Sequence, residues 1–172
     1  KALEPSSGCE GHRLYLNLIK HLFNEDKEQM QHVTDWLYRL ITSRNETALV
    51  LNGAKGVGKN ALYAIAKALV GMEYCSEATN KFGVKEFNSE LRDKILILVD
   101  EHRITKEKYN WLKASFNQWQ TIEAKGKDVG HTEKIHVNYM IFHNSPDDIY
   151  LENAERRFSV MDITKTRLDS VW

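Results

Sequence analysis

Residues 53–60 have the sequence GAKGVGKN, which matches the pattern GxxxxGK. The apolar run before them, residues 47–51, predicts a buried strand, and residues 59–70 after them predict an alanine-rich helix closed by Gly71. In such a loop, glycines let successive backbone N–H groups turn around a phosphate, and the helix N-terminus adds a partial positive charge. We therefore predict a nucleotide-binding site at this unit of strand, loop and helix.

The position after the lysine departs from the usual pattern. A Ser or Thr hydroxyl normally coordinates Mg²⁺ there, and this chain has Asn60. The Asn60 amide oxygen could still ligate the metal or a bridging water, since Mg²⁺ takes hard oxygen ligands of either kind. The alternative is a chance match. The two glycines and the lysine that the pattern fixes occur at this spacing by accident in about 5% of chains of this length. The predicted nucleotide-binding residues, with Lys59 as the catalytic lysine, are Gly53, Ala54, Lys55, Gly56, Val57, Gly58, Lys59, Asn60 and Ala61.

A pair of acidic residues follows the second predicted strand. Residues 95–99 are the apolar run ILILV, and Asp100 and Glu101 come directly after it, at the strand end where open α/β sheets bind ligands. We predict that Asp100 holds Mg²⁺, directly or through water, and that Glu101 polarises the water that attacks the γ-phosphate. A solvated strand end is the alternative. Adjacent carboxylates favour ATP hydrolysis over phosphoryl transfer to a small hydroxyl acceptor, which requires no water-activating group.

A third polar strand end is Asn144, which follows the apolar run YMIFH at residues 139–143. In a parallel sheet, Asn144 reaches the same end of the sheet as Asp100. Its amide can then hydrogen-bond the γ-phosphate or the attacking water and report the state of the nucleotide. A simple Asn-Ser-Pro turn at the end of the strand is the alternative.

Two adjacent arginines, Arg156 and Arg157, precede the last predicted strand at residues 158–163. Neighbouring residues of an extended segment face opposite ways, so one guanidinium is expected to point outward. In a ring-shaped motor, an outward arginine completes the active site of the neighbouring subunit and stabilises transition-state charge. The alternative is a surface ion pair with Glu152 or Glu155.

The rest of the pattern predicts one domain of the α/β class. The chain has 172 residues, 42% of them apolar, with 24 basic and 24 acidic side chains, so it can bury one core and its net charge excludes no local basic patch. Strands that alternate with helices imply a mostly parallel sheet flanked by helices on both faces. The further predicted elements are helices at 12–23 and 27–43 with Asn24 and Asp26 as turn and cap, a helix at 106–119 with Tyr109, Leu112, Phe116 and Trp119 on one side, and a polar hairpin at 121–138.

The same sequence excludes several classes of protein. Cys9 and Cys75 match neither a zinc-ligand spacing nor a disulfide framework. No apolar run is long enough to cross a bilayer, and no signal-peptide pattern begins the chain. We therefore expect a soluble, cytoplasmic protein with no membrane partner. Because the chain starts at Lys1 without a methionine, the stretch before Glu10 is expected to be the cut edge of a longer protein.

Four segments follow one another in a recognisable order: GAKGVGKN, FNSELRDKILILVDE, WLKASFNQWQTIEAKGKD and YMIFHNSPDDIYLENAERRF. Together they resemble the superfamily 3 helicase domain of phage, plasmid and viral primase-helicases, over about residues 27–163. The most specific pieces of this resemblance are the LK…IEAKGK element and the HNS…ERRF ending, which a generic nucleotide-binding domain lacks.

The resemblance implies an AAA+ P-loop NTPase core that assembles into a hexameric ring and hydrolyses ATP, with Mg²⁺, at subunit interfaces while one DNA strand passes through the centre. It makes Asn144 the sensor, and Arg157 the first candidate for the arginine that acts in trans, followed by Arg156. Residues 1–45 would be an N-terminal helical segment that packs on an ATPase core at 46–172. A primase-polymerase domain would lie elsewhere in the full-length protein.

The family's DNA-gripping hairpin falls on residues 123–137. Lysines near a glycine-bearing tip suit a mobile grip on single-stranded DNA that ignores sequence; a solvated charged hairpin is the alternative. The candidate phosphate contacts are Lys125, Lys127, His131 and Lys134.

The leading hypothesis is the ATP-dependent DNA helicase motor domain of a replicative primase-helicase from a phage, plasmid or mobile element. The alternative is a ring-forming AAA+ ATPase that loads or remodels protein partners. A third hypothesis, a monomeric nucleotide or sugar kinase, predicts no role for an arginine across a subunit interface. Stimulation of ATP hydrolysis by single-stranded DNA separates the helicase from the other two.

Overall fold

The structure is a computed structural model that describes residues 10–78, 93–100, 103–117, 119–122, 131–145, 147, 149–152 and 155–163. The helices within these residues are α1 (Glu10–Leu22), α2 (Lys27–Thr42), α3 (Lys59–Val70) and α4 (Lys106–Ser115), with a short 3-10 turn at Met72–Tyr74. The strands are β1 (Ala48–Gly53), β2 (Cys75–Glu77), β3 (Leu96–Asp100), β4 (Trp119–Ile122), β5 (His131–Lys134), β6 (Asn138–His143) and β7 (Phe158–Ile163).

Five strands form one sheet in the order β2-β3-β6-β1-β7, and every neighbouring pair is parallel. β4 and β5 form a separate antiparallel pair. Because the five strands run in one direction, all their carboxyl ends meet at one end of the sheet, which we call the carboxyl end. The opposite end, where the strands begin, is the amino end. This arrangement fixes the positions of all the predicted site residues.

The two faces of the sheet bury two separate apolar clusters. On one face, Leu49 and Leu51 of β1 pack with buried residues of α1, α2 and α3. On the other face, Ala48 and Val50 pack with Tyr109 and other residues around α4. All six residues of β1 are buried, as expected for a central strand covered on both sides. The predicted α/β class, with a mostly parallel sheet flanked by helices, is confirmed.

The N-terminal helices are tied to the sheet by polar contacts as well as by the core. Asp26 caps α2, as predicted, by accepting hydrogen bonds from the backbone of Glu28 and Gln29 at 2.9 and 3.1 Å. Trp36 Nε1 donates to the carbonyl of Thr47 at 2.9 Å, just before β1. None of the described helices is long and apolar enough to span a membrane.

Helix α4 is shorter than the sequence pattern predicted. It ends at Ser115, and Trp119 lies in β4, so the predicted helix to residue 119 is wrong. Phe116 occupies the C-cap and packs against Tyr139 and Phe158, with ring centroids 5.7 and 5.9 Å apart. Phe116 fits the helical period of apolar residues, but it lies in the turn after the helix and packs into the core from there.

Strand β2 was not predicted, because Cys75–Glu77 has only three residues and no apolar run. It joins the sheet by parallel pairing with β3, in the register Cys75↔Leu96. The predicted hairpin at 121–138 is present as β4 and β5, in the register Ile122↔His131. The hairpin begins two residues before the predicted range and its second strand ends at Lys134. Residues 123–130 between the strands lie outside the described part of the chain.

Substitution of Gly53 by alanine tests the close approach of β7 to the end of β1. A Cβ at Gly53 would lie 2.8 Å from Cβ of Ile163 and 3.1 Å from its carbonyl oxygen. We expect Gly53→Ala to lower the free energy of unfolding by about 1–3 kcal/mol, as overpacking typically does. The measurement is urea unfolding followed by circular dichroism.

Gly11→Ala is the matched control, since Gly11 is exposed within α1. Replacing a helical glycine there should leave the free energy of unfolding unchanged or raise it by up to about 1 kcal/mol. Equal stability of Gly53→Ala and the wild type would contradict the close approach.

Candidate functional site

The loop after β1 is shaped by two glycines and anchored by one apolar side chain. Gly56 and Gly58 have φ values of 86° and 108°, in the left-handed region that residues with a Cβ rarely adopt. Between them, Val57 is fully buried in the core cluster. The backbone of the loop is therefore held in place while its outer side stays open.

The N-terminus of α3 lacks the groups that normally neutralise a helix start. Its N-cap is Gly58, with no side-chain cap, and its first turn contains no acidic residue. The first turns of α1, α2 and α4 contain Glu10, Glu28 and Glu107 respectively. Since the first N–H groups of a helix and its dipole attract anions, this end of α3 is suited to a phosphate group.

Lys59, the first residue of α3, points back into the loop and is 7% exposed. Its Nζ donates to the carbonyl oxygens of Gly53 and, at 3.2 Å, Ala54. It also donates to Oδ1 of Asn144 at 3.1 Å. These contacts hold the Lys59 ammonium group inside the loop, between the end of β1 and the strand end that carries Asn144.

Asp100 completes the same site from β3. It is half-buried at the carboxyl end of that strand, and Asn60 is exposed at the start of α3. Both offer hard oxygen atoms, so they fit the donor set that Mg²⁺ requires. Glu101 lies outside the described residues. Three segments that are distant in sequence thus line one cleft of about 250 Å³, formed by Lys55, Gly56, Val57, Gly58, Lys59, Asn60, Ala61, Asp100 and Asn144.

The two candidate arginines lie at the opposite end of the sheet. They immediately precede β7, whose first residue, Phe158, is in register with Ala48, the first residue of β1. The cleft instead adjoins the level of Gly53 and Ile163, at the other end of the same two strands. A strand of six residues at roughly 3.3 Å each separates the two levels by about 20 Å. An arginine side chain cannot span that distance to the cleft of the same chain.

The two arginines differ in their surroundings. Arg157 forms an ion pair with Glu155 at 3.4 Å, and its backbone N–H donates to the same carboxylate at 3.1 Å. The ion pair named as the alternative for this segment is therefore present. Arg156 is exposed and, within the described residues, forms no ion pair.

Glu155 is also bound to helix α4. Its side chain is 9% exposed and accepts a hydrogen bond from the hydroxyl of Tyr109 at 3.0 Å, and Lys113 Nζ lies 3.4 Å away. Burial alone would raise the pKa of Glu155, but hydrogen bonds from the Arg157 backbone, Tyr109 and Lys113 outweigh it and lower the pKa. A hydrogen bond to Glu152 raises the pKa of Lys113. The Glu155 carboxylate and the Lys113 ammonium group are therefore both charged at neutral pH.

The predicted DNA-contacting residues are described only in part. Lys134 is exposed at the end of β5, and the backbone of His131 begins that strand. Lys125 and Lys127 lie outside the described residues. The hairpin leads into β6 at Asn138, so its base lies at the amino end of the sheet, as the arginines do.

The sequence analysis missed the contacts of two basic residues, Arg44 and Lys113. Arg44, between α2 and β1, donates to the carbonyls of Ser115 and Val137, at 3.4 Å in both cases. Lys113 contacts Glu152 at 2.8 Å as well as Glu155. Partners 71 and 93 residues apart, as for Arg44, leave no local pattern in a single sequence.

Residues 51–157 match DUF5906, a family described as being of unknown function. The chain belongs to this family. The description of the family names no activity.

Three matches, two of them to NrS-1 and one to a helicase, cover most of this chain. The DNA primase-polymerase of Nitratiruptor phage NrS-1 is 24% identical over 163 residues, which are 91% of this chain and 23% of the relative. A solved structure of the NrS-1 C-terminal region is 25% identical, with a TM-score of 0.75, over 87% of this chain and 37% of that one. A crystal structure of JCV helicase has a TM-score of 0.54 at 12% identity, over 88% of this chain and 45% of that one.

The chain therefore spans less than half the length of each of these relatives. Its α/β fold is shared with a phage replication protein and a viral helicase.

Replacing Lys59 tests whether the cleft is an anion site. We expect wild-type protein to be stabilised thermally by inorganic tripolyphosphate, and Lys59→Met to bind it at least about tenfold more weakly, since a charge-assisted hydrogen bond contributes about 1.5–3 kcal/mol. Lys67→Met, two turns further along α3 and outside the cleft, is the control and should bind normally. Equal affinity of Lys59→Met and the control would remove Lys59 from the site.

Proposed function

We propose that this chain is the ATP-dependent DNA helicase motor of a phage-type replication protein. The observation that carries the proposal is the contact between Lys59 and Asn144 in a cleft that Asp100 also lines. It joins a glycine-rich loop, an acidic strand end and a polar strand end, which is the combination that nucleoside triphosphate hydrolysis requires. Similarity to a DNA primase-polymerase and a helicase supports the choice of DNA as the partner.

Each residue of the cleft receives a role from its chemistry. Bound ATP with Mg²⁺ would supply a phosphoryl group whose transfer to water releases free energy. Lys59 and the N-terminus of α3 bind and orient the phosphates, while Asp100 and Asn60 hold the metal ion. Glu101 orients and polarises the water, and Asn144 positions that water or the terminal phosphate.

The arginine that completes the site would come from a second copy of the chain. Since neither arginine can reach its own cleft, only the cleft of a neighbouring subunit is available to it. We favour Arg156 over Arg157, which reverses the order expected from the sequence, because Glu155 already binds the Arg157 guanidinium. A shared site of this kind requires head-to-tail contacts, which form a closed ring when the rotation between subunits closes and a filament when it does not. We propose the closed form, a homo-oligomeric ring that is hexameric as in the family that the sequence resembles.

The hairpin of β4 and β5 is proposed to hold single-stranded DNA through its basic residues. Lys134 is exposed there, and Lys125, Lys127 and His131 are the other candidates. Contacts to phosphates alone are independent of sequence and can be released in each cycle. The primase-polymerase activity named for the phage relative is assigned to a different part of the full-length protein.

Stimulation of ATP hydrolysis by single-stranded DNA tests the proposal. We expect the full-length protein to hydrolyse ATP faster when an oligonucleotide is added. We also expect the affinity for DNA to fall by at least about tenfold between 50 and 200 mM salt if four or more phosphates are contacted. ATP hydrolysis would be measured by phosphate release and binding by fluorescence anisotropy.

Lys134→Ala should weaken DNA binding and reduce the slope of this salt dependence, whereas Lys108→Ala on α4 is a control of equal charge change. An assembled ring that hydrolyses ATP but neither binds DNA nor responds to it would contradict the helicase and favour the protein-remodelling alternative.

A further inference from the structure

Helix α4 is attached at its middle to the segment that carries the arginines. The hydroxyl of Tyr109 donates to Glu155 at 3.0 Å and to Glu152 at 3.2 Å. Lys113, one turn further along, lies 2.8 Å from Glu152 and 3.4 Å from Glu155. We call residues 155–157 the arginine turn. Tyr109 and Lys113 thus each contact two carboxylates, Glu152 before the arginine turn and Glu155 at its first position.

Aromatic packing makes this attachment rigid. The Tyr109 ring is fully buried and stacks on Phe158, the residue after the arginine turn, with centroids 5.5 Å apart. Tyr150 approaches the same ring edge-on at 5.4 Å. Close packing on both sides means that the turn cannot shift without moving α4.

The C-terminal end of α4 is attached to the base of the hairpin. Arg44 donates to the carbonyl of Ser115, the last residue of α4, and to that of Val137, which precedes β6. These two residues flank the hairpin of β4 and β5. The Arg44 guanidinium also lies over the ring of Phe116, 5.9 Å from its centroid. One side chain therefore bridges the segment that enters the hairpin and the segment that leaves it.

We propose that α4 couples the arginine turn to the hairpin, with Glu155, Lys113 and Arg44 as positioning residues. The inference rests on the proposed function, because it presumes that the turn contacts a neighbour's nucleotide and that the hairpin holds DNA. A shift of the arginine turn moves α4 as a rigid body about 15 Å long, and α4 moves the hairpin base. Nucleotide bound by one subunit thereby changes the DNA grip of the next.

The segment that joins β3 to α4 also contacts the residues before the arginine turn. Ile104, four residues after Asp100, forms a parallel bridge with Ile149, and its carbonyl accepts a hydrogen bond from the Tyr150 backbone at 2.9 Å. The segment between β3 and α4 therefore pairs with the segment that leads to the arginine turn. Helix α4 therefore follows, along the chain, a segment that starts at the carboxylate strand β3 and pairs with the residues before the arginine turn.

The experiment measures how nucleotide changes DNA affinity in the full-length protein. The dissociation constant of a labelled single-stranded oligonucleotide is determined with and without a non-hydrolysable ATP analogue, and the ratio of the two is the coupling factor. We expect a coupling factor of at least about fivefold for the wild type. In Lys113→Met it should fall to within twofold of one, while DNA affinity without nucleotide stays within about twofold of the wild type.

Lys106→Met is the matched control, because it makes the same charge change at an exposed position of α4, and its coupling factor should equal that of the wild type. Arg44→Lys keeps the charge but cannot donate to two carbonyls from one planar group, so it should lower the coupling factor as Lys113→Met does. Thermal unfolding checks that each variant is folded. If Lys113→Met is not, Glu152→Gln replaces it, since that carboxylate is 45% exposed and accepts the 2.8 Å contact.

The possible results separate the two proposals. Wild-type coupling that persists in the folded Lys113→Met or Glu152→Gln protein and in Arg44→Lys overturns the role of α4 and leaves the helicase proposal intact. A wild type that binds the analogue but shows the same DNA affinity with and without it overturns the role of α4 as well. A wild type that binds no DNA overturns the helicase proposal and this inference together.

Discussion

Parallel pairing of β1 with β6 on one side and β7 on the other is the interaction on which the rest of the structure depends. It brings the glycine-rich loop next to Asn144 and aligns both with Asp100 across the sheet. The same pairing holds the arginine turn at the far end of the sheet. The cleft and the arginine turn thus lie about 20 Å apart in one chain, which is why the proposed function takes the arginine from a second copy of the chain.

Within the cleft, the decisive physical feature is the N-terminus of α3. Its first turn has no acidic residue and no side-chain cap, and Lys59 at its start donates to oxygens of Gly53, Ala54 and Asn144. Together these groups attract an anion with several charges, which Asp100 and Asn60 can complement by holding a divalent cation. At the other end of the sheet, acidic and basic side chains neutralise one another around Glu155 and fix the arginine turn.

The sequence predicted those helices and strands whose bounds are determined by residues close together in the chain. The bounds of α3 and β7 depend on neighbouring residues, and the prediction was accurate there. It was wrong at the end of α4, because Phe116 fits a helical period but packs as a C-cap residue in the core. It missed β2, whose three residues gain their strand structure from pairing with β3. It also missed the contacts of Glu155 with α4 and those of Arg44 with the end of α4 and the hairpin base. These contacts join segments that are distant in sequence, so no spacing rule could reveal them.

The most direct test of a site shared between subunits is ATP hydrolysis by mixtures of two inactive variants. Lys59→Met damages the loop half of the site and Arg156→Ala the arginine half, so random head-to-tail assembly of an equal mixture rebuilds about one intact site in four. The account predicts hydrolysis by this mixture at up to about a quarter of the wild-type rate, and none by a mixture of Lys59→Met and Asp100→Asn, whose defects lie in the same half. Activity of the first mixture no greater than the average of its two components would contradict the account.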